Sequence, residues 1–450
     1  MRQKSLLLFS AFFLTAVSGV SAADGITVAP AAGSDITAAV AEAKGTSEAV
    51  GTITINLAEG ASYTVSGSLE TAAGLVINGN GATIDASALE TPFILMSTTP
   101  SVELLNDYYR VDAVTISGVT VNGLKNSIFY DNNTKYCVVD FTIENSTLAL
   151  ATTAVENEAL VSFKAGGAKD VTVKNSVIYG NGEVAKYFIR YNNSARLDRY
   201  GYDKETEFQT MTYLDNTFYN LLKSDGQWGN YSAIAGQNYI KYDVQKNIWF
   251  DCGKDIIRRM SGGRFGNNAP KLFNLNTYFN DGECLAESEK TYDNGRILET
   301  NPEFKDAANA DFTIGAYTQQ AQFQTGAEKF LTKFEPADIS AVKDGLLAEI
   351  NKATALVGTD DSEAAELFRA SIAAAQSVYE TAYFDFEINR ALETLKTAEA
   401  EYEKSGIADV IIENNAPVEY FNLQGVRVEN PANGIFIRRQ GTEVSKVLVK

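Results

Sequence analysis

The sequence predicts an all-β chain: a parallel β-helix over residues 23–335, then a small three-helix bundle over 336–405 and a short β module over 406–450. Three observations carry this reading. A strand–turn–strand unit recurs about every 30 residues, a period that marks a solenoid or array. Beyond residue 335 the composition turns to Ala, Glu and Leu at helical spacing. Beyond 405 it returns to short β-like runs broken by turn residues.

The repeat is read from six segments: VTISGVTVNG (114–123), FTIENSTLAL (141–150), VTVKNSVIYG (171–180), TYLDNTFYNL (212–221), DVQKNIWFDC (243–252) and FNLNTYFNDG (273–282). Each is a short strand, a punctuating residue and a second short strand. The punctuating residues are Gly118, Asn145, Asn175, Asn216, Asn247 and Asn276, at spacings of 27, 30, 41, 31 and 29. The runs alternate with period two and are β-branched, which excludes helical repeats. A propeller blade would need about 40–45 residues and four strands. Coils of a parallel β-helix satisfy their backbone groups on their neighbours. Asn at a bend adopts the left-handed conformation, and stacked Asn amides can bond one another from coil to coil. The reading therefore places all six punctuating residues in one column.

The remaining segments follow in chain order. Arg2 and Lys4, the apolar run from Leu6 to Val17 and the small residues Val20-Ser21-Ala22 read as a signal peptide over 1–22, with the mature chain starting at Ala23. The apolar run is too short to span a bilayer, and no other stretch is long and apolar enough to do so. In the second part, Ile339, Val342, Leu346, Ile350 and Ala353 share one helical face. Ala365, Phe368, Ile372, Ala375 and Tyr379 share another, and Ile388, Leu392, Leu395 and Tyr402 a third. In the third part, three alternating strands with two turns are expected around Gly425 and Gly434.

Charge and composition narrow the chemistry. Lys and Arg number 38 against 57 Asp and Glu, a net charge of −19. Removal of Arg2 and Lys4 with the signal leaves −21. Nucleic acid is thereby excluded as a partner, because phosphate binding needs a basic face. The chain has no His, so every His-containing triad, His-ligated metal site and His general base is excluded. The three cysteines, Cys137, Cys252 and Cys284, leave two readings open: a Cys252–Cys284 bridge, or buried thiols serving as small apolar groups.

The segment 35–43 reads as a short helix capped by Ser34, followed by the strand Thr52–Leu57 and by LVINGNGATIDAS (75–87). This order resembles the N-terminal cap and first coils of right-handed parallel β-helix proteins of the pectate-lyase-like superfamily, and NPEFKDAANADFTIG (301–315) resembles their closing coil. The resemblance covers residues 25 to about 320. It implies fold more than activity, because the superfamily mixes lyases, hydrolases, esterases and binders. The helical part is similar to bundle modules appended to secreted bacterial glycan-active proteins. The segment 418–428, with Pro431, Gly434–Arg439 and Lys446–Lys450, resembles the C-terminal module that addresses exported Bacteroidales proteins to the type IX secretion system. That resemblance implies export machinery as a partner, and a location outside the cell or on its outer surface.

Counting from the punctuating residue, the first and third positions read as inward and the second and fourth as outward. The late coils then present Phe218 with Asn220, Trp249 with Asp251 and Tyr278 with Asn280 on one outer face. An aromatic platform beside amides suits sugar rings, unless a loop or the bundle covers it. A second outward column, Glu144, Lys174, Asp215 and Lys246, reads as a charge ladder. The 41-residue coil carries an insert at 182–210 with Lys186, Tyr187, Arg190, Tyr191, Arg196, Arg199, Tyr200, Tyr202 and Lys204. The next coil carries Lys254, Arg258, Arg259 and Arg264. Guanidinium pairs with carboxylate in bidentate fashion, which suits uronic acids. Asp215, Asp251 and Asp255 are candidates for a pair of catalytic carboxylates.

The expectation is an exported protein that binds or processes a polysaccharide. The substrate-binding residues would be Phe218, Trp249, Tyr278, Asn220, Asn280, Arg190, Arg258 and Arg259. One alternative is a lyase acting on uronate-containing glycan, in which the resemblance implies Arg or Lys as base and Ca²⁺ or Arg against the carboxylate. Another is a structural surface protein without catalysis. No cofactor is expected outside the lyase reading.

Overall fold

The structure is a computed structural model of the 450-residue chain. It describes residues 24–45, 51–98, 104–105, 108–131, 135–152, 154–155, 159–163, 167–182, 184–190, 209–227, 240–253, 256–257, 260, 271–408, 417–441 and 443–449. The expected signal peptide over 1–22 lies outside the described residues. The chain divides into two compact units between Phe334 and Glu335.

In the first unit, strands that follow one another in the chain fall into three different sheets. One coil shows the pattern: Tyr136–Glu144 lies in the first sheet, Thr147–Leu150 in the second and Ala159–Ser162 in the third. The next coil repeats it with Gly167–Lys174, Val177–Tyr179 and Ala185–Arg190. Pairings between successive coils are parallel, as in Phe141 with Val171 and Leu148 with Ile178. The first sheet runs from Ile26–Val28 to Lys271–Asn274. The arrangement is consistent with a parallel β-helix. Its buried residues form one apolar core that runs along the stack, from Val28 to Tyr278.

The N-terminal helix spans Ile36–Lys44. Its cap is Asp35 rather than Ser34: the carboxylate accepts the Thr37 N–H at 2.8 Å and is also bonded by Ser66. These bonds hold the Asp35 carboxyl below its usual range, against the opposing effect of burial.

The corner between the first and second sheets corrects the expected column. Its left-handed residues are Gly118, Asn145, Asn175, Asp215, Lys246 and Leu275, with φ between 45° and 65°. Strand register fixes this alignment, since Val177 pairs with Thr217 and Thr217 with Ile248. Asn216, Asn247 and Asn276 therefore stand one position later, in register with Ser146 and Ser176. That second column is buried and continuous. The Val119 N–H donates to Ser146 Oγ, Ser146 N–H to Ser176 Oγ and Ser176 N–H to Asn216 Oδ1. Asn216 N–H donates to Asn247 Oδ1, and Asn247 N–H to Asn276 Oδ1. Each coil's side chain thus accepts an amide that the sharp corner has turned out of the ladder. In the corner column itself, Asn175 Nδ2 donates to Asn145 Oδ1 at 2.8 Å. The charge ladder divides in the same way: Asp215 and Lys246 occupy corners, while Glu144 and Lys174 end first-sheet strands.

A one-residue shift moves every following side chain to the other face. From Asn216 onward the inward and outward columns are exchanged relative to the expectation. Phe218, Trp249 and Tyr278 follow Leu148 and Ile178 into the core and are fully buried.

In the second unit, helices Ser340–Val357, Glu363–Thr381 and Asp385–Ala408 bring the three apolar faces into one core. Ser362 caps the second helix through the Ala365 N–H. The C-terminal module is a four-stranded antiparallel sheet, one strand more than expected. The segment 418–428 folds back on itself: Asn422 Oδ1 accepts the Gln424 and Val426 amides and Gly425 takes φ +81°, which splits it into Glu419–Phe421 and Arg427–Val428. Among the described residues no helix is long and apolar enough to cross a membrane.

Candidate functional site

Two aromatic columns run along the second sheet, and neither is open. The inner one is Phe218, Trp249 and Tyr278. Phe218 and Trp249 stack with centroids 5.5 Å apart, and Trp249 and Tyr278 at 5.3 Å. The expected exposed platform is corrected here: these rings stack on one another inside the coils. Tyr278 joins this column to one end of a buried polar network. Tyr278 donates its hydroxyl to Asp293 Oδ2 at 2.7 Å, and Asn276 Nδ2 bonds the same oxygen at 3.3 Å. Burial pushes the Asp293 carboxyl above its usual range and the Tyr278 phenol well above its own.

The outer column is Tyr179, Tyr219, Phe250 and Phe279, one residue later in each coil. Its rings also stack, with Tyr219 5.7 Å from Phe250 and Phe250 6.1 Å from Phe279. The segment 301–334 lies over this column. Phe312 packs on Tyr179 and Tyr219, Phe304 on Tyr219 and Phe250, and Phe330 on Phe312. The segment is held by hydrogen bonds as well: the Glu328 N–H donates to Asn175 Oδ1 at 2.7 Å and the Gly326 N–H to the Lys246 carbonyl at 3.0 Å. The cover is therefore built by the coiled unit itself.

Asn220 and Asn280 lie near the far end of the second-sheet strands, both half-buried. Asn220 is a corner residue, φ +52°, whose N–H donates to the Phe250 carbonyl; Asn280 donates its amide to Asp281. Asp215 and Asp251 flank opposite ends of these strands, so they do not converge as a catalytic pair. Asp251 Oδ1 accepts the Asp281 N–H at 2.8 Å. Burial raises the Asp215 carboxyl, with Lys246 and Lys174 acting against it. Asp255, Arg258, Arg259, Arg264 and insert residues 191–208 lie outside the described residues.

Arg190 remains, on the third sheet. Strand Ala185–Arg190 presents Lys186, Tyr187 and Arg190 together. The Arg190 guanidinium carbon lies 5.5 Å from the Tyr187 ring centre, and Lys186 Nζ 5.8 Å from it. Along the sheet, Arg190 pairs with Ser162, Ser162 with Tyr130, Tyr130 with Leu95 and Leu95 with Glu70. Strand spacing sets these about 4.8 Å apart. Tyr187 and Ser162 are buried beneath this row, and Lys186, Arg190 and Tyr130 are its half-buried members, two cations and a phenol able to hold a carboxylate and a neighbouring hydroxyl.

Cys252 donates its thiol proton to the Phe250 carbonyl at 3.3 Å, and Cys137 is buried with its thiol pushed up to about 12 by desolvation. The open alternatives resolve to thiols, with Cys284 exposed. Among the described residues no group of three or more His, Cys, Asp or Glu could hold a metal ion.

One feature of the first sheet escaped the sequence reading. The strands ITIN (53–56), VTIS (114–117), FTIE (141–144), VTVK (171–174) and MTYL (211–214) each carry Thr second, between two buried apolar residues. The signal stood in the quoted repeats, in the half before the punctuating residue. Comparison with protein-family models, curated proteins and solved structures finds no match to this chain.

Proposed function

We propose that the chain is an exported right-handed parallel β-helix protein of the pectate-lyase-like kind that binds or processes an acidic polysaccharide along its third sheet. The observation that carries this reading is the placement of Arg190 and Lys186 over Tyr187, in line with Tyr130 two strands away. A guanidinium beside a ring can pair with a uronate carboxylate while the Tyr130 hydroxyl bonds a neighbouring sugar. The overall field of a −19 chain opposes a long anionic ligand. It is screened beyond about 8 Å at physiological salt, so local cations act at contact. Residues 1–22 would direct export, and residues 406–450 would engage the type IX machinery and place the protein outside the cell or on its outer surface.

In the lyase form of this reading, Arg190 or Lys186 would neutralise the uronate. Ca²⁺ would serve the same neutralisation where the resemblance to lyases implies it. A structural surface protein is the second reading, and the cover over Tyr179, Tyr219 and Phe250 favours it. Isothermal titration with oligogalacturonate, together with ultraviolet detection of unsaturated products, tests the first. Binding that is lost in Arg190→Ala supports it; no binding by the wild type sinks it and leaves the structural reading.

A further inference from the structure

On the second sheet, a segment of the protein itself occupies a column of outward threonines. Lys329 donates Nζ to Thr147 Oγ1, Ala327 its N–H to Thr217 Oγ1 at 3.1 Å, and Gln320 its amide to Thr277 Oγ1 at 2.9 Å. These threonines stand in register on alternate coils, with Val177 and Ile248 between them. The segment follows the stack and delivers one polar group to every second coil.

The first sheet carries a longer column of the same kind, which no such segment occupies among the described residues. Thr27, Thr54, Val76, Thr115, Thr142, Thr172 and Thr212 are in register on seven successive strands. All seven are half-buried or exposed. None of the six hydroxyls is engaged within the protein among the described residues. On the same face, two residues along, Asn78 bonds Asn56 and Ser117 bonds Glu144. Two residues before Thr142 and Thr172 stand Asp140 and Asp170.

We propose that this face binds an extended neutral polysaccharide laid along the stack, with one sugar ring per coil. The period selects the occupant. Hydroxyls recur about every 4.8 Å, whereas an extended peptide repeats a given face only every ~6.6 Å, so it falls out of step within two coils. A chain of pyranose rings advances by one ring over about one strand spacing. Each Thr offers a hydroxyl that both donates and accepts, with a methyl beside it for the apolar face of a ring. The carboxylates of Glu144 and Asp140 on either side can accept sugar hydroxyls, while Asp170 is held by Lys169 and Thr210 and Lys174 stands beside Glu144, so the face carries both signs of charge and favours a neutral chain. This site lies on a different sheet from Arg190 and stands or falls separately from the third-sheet reading.

The test is retardation of the full mature chain in native gels containing hydroxyethyl cellulose, mixed-linkage β-glucan or galactomannan, with polygalacturonate as the acidic control. The double variant Thr142→Val, Thr172→Val keeps β-branched shape and removes two hydroxyls. It is expected to bind the retarding neutral polymer about tenfold more weakly. Val76→Thr, which completes the column, is expected to bind about threefold more tightly. Equal thermal unfolding of the variants confirms that binding alone has changed. The proposal is overturned if none of the three neutral polymers retards the wild type. It is equally overturned if the double variant and Val76→Thr both migrate as the wild type does.

Discussion

The early and late coils turn the same corner with different residues. In the early coils Gly118, Asn145 and Asn175 take the left-handed conformation and Ser146 and Ser176 follow them. In the late coils Asp215, Lys246 and Leu275 take it, and Asn216, Asn247 and Asn276 follow. The corner conformation is therefore imposed by the stack rather than by a residue that favours it, because a buried coil has nowhere else to turn. What recurs from the Asn145 corner onward is an acceptor in the next position, which takes the amide that the turn leaves without a ladder partner in the coil before. Serine and asparagine both accept there and both donate, but the Ser146 and Ser176 hydroxyls return to the Glu144 and Lys174 carbonyls of their own coil, whereas the asparagine amides reach the preceding coil. Asn247 Nδ2 reaches the Tyr213 carbonyl at 2.7 Å and Asn276 Nδ2 the Val244 carbonyl at 2.8 Å. The late ladder thus ties neighbouring coils twice at each step, and it ends on Asp293, whose ionised carboxylate can only accept and whose protonated form also donates.

The largest effect is expected from the core that this register creates. Trp249→Ala should lose about 3–5 kcal/mol in denaturant unfolding, the loss typical of a buried large aromatic. A loss under 1 kcal/mol would mean the ring faces outward and the register is wrong. Next, Asn247→Ala removes an acceptor for the Asn216 amide and strands the Tyr213 carbonyl; about 2–4 kcal/mol is expected. Ser176→Ala, in the early half of the same column, strands the Ser146 amide and removes the hydroxyl bonded to the Lys174 carbonyl, which the Asn145 amide still reaches, and should cost about 1–2 kcal/mol. Equal losses in the two variants would erase the distinction between the halves.

The acid end of the ladder gives a pH signature. Burial raises the Asp293 carboxyl in the folded chain. Its contribution is then fully present below the unfolded Asp value of about 3.9 and is lost as pH rises through the folded value. Relative to Asp293→Asn, the wild type should therefore lose stability as pH rises from about 4, measured as the difference in unfolding midpoint between the two chains. A difference that does not vary with pH would show that the carboxyl is not shifted. The smallest effect should come from Lys246→Asn. Asparagine tolerates the left-handed corner that lysine is forced into, and a gain of about 0.5–1 kcal/mol is expected in the same unfolding assay.

Much of the coiled unit was legible in the sequence. The 27-to-41-residue repeat, the alternation of apolar residues and the shift to helical spacing beyond 335 are local properties of the chain, and they specified parallel coils, the apolar faces of three helices and a terminal β module. The site was far less legible. Lining up Asn145 and Asn175 with Asn216, Asn247 and Asn276 treats identical residues as equivalent positions, and the sequence offers no second marker to correct that choice. Only the pairing of Val177 with Thr217 decides it, because register is a property of two strands that meet across about 40 residues of chain. With that single step, Phe218, Trp249 and Tyr278 pass from surface to core. The cover over Tyr179, Tyr219 and Phe250 is likewise a tertiary decision: Phe304, Phe312 and Phe330 read locally as the end of the repeat, and only folding brings them back across the coils they follow. The sequence by itself determined which residues alternate and how often the unit recurs, since these depend on neighbours along the chain. The tertiary structure alone decided which face each column turns to, since that depends on hydrogen bonds between coils that no single coil contains.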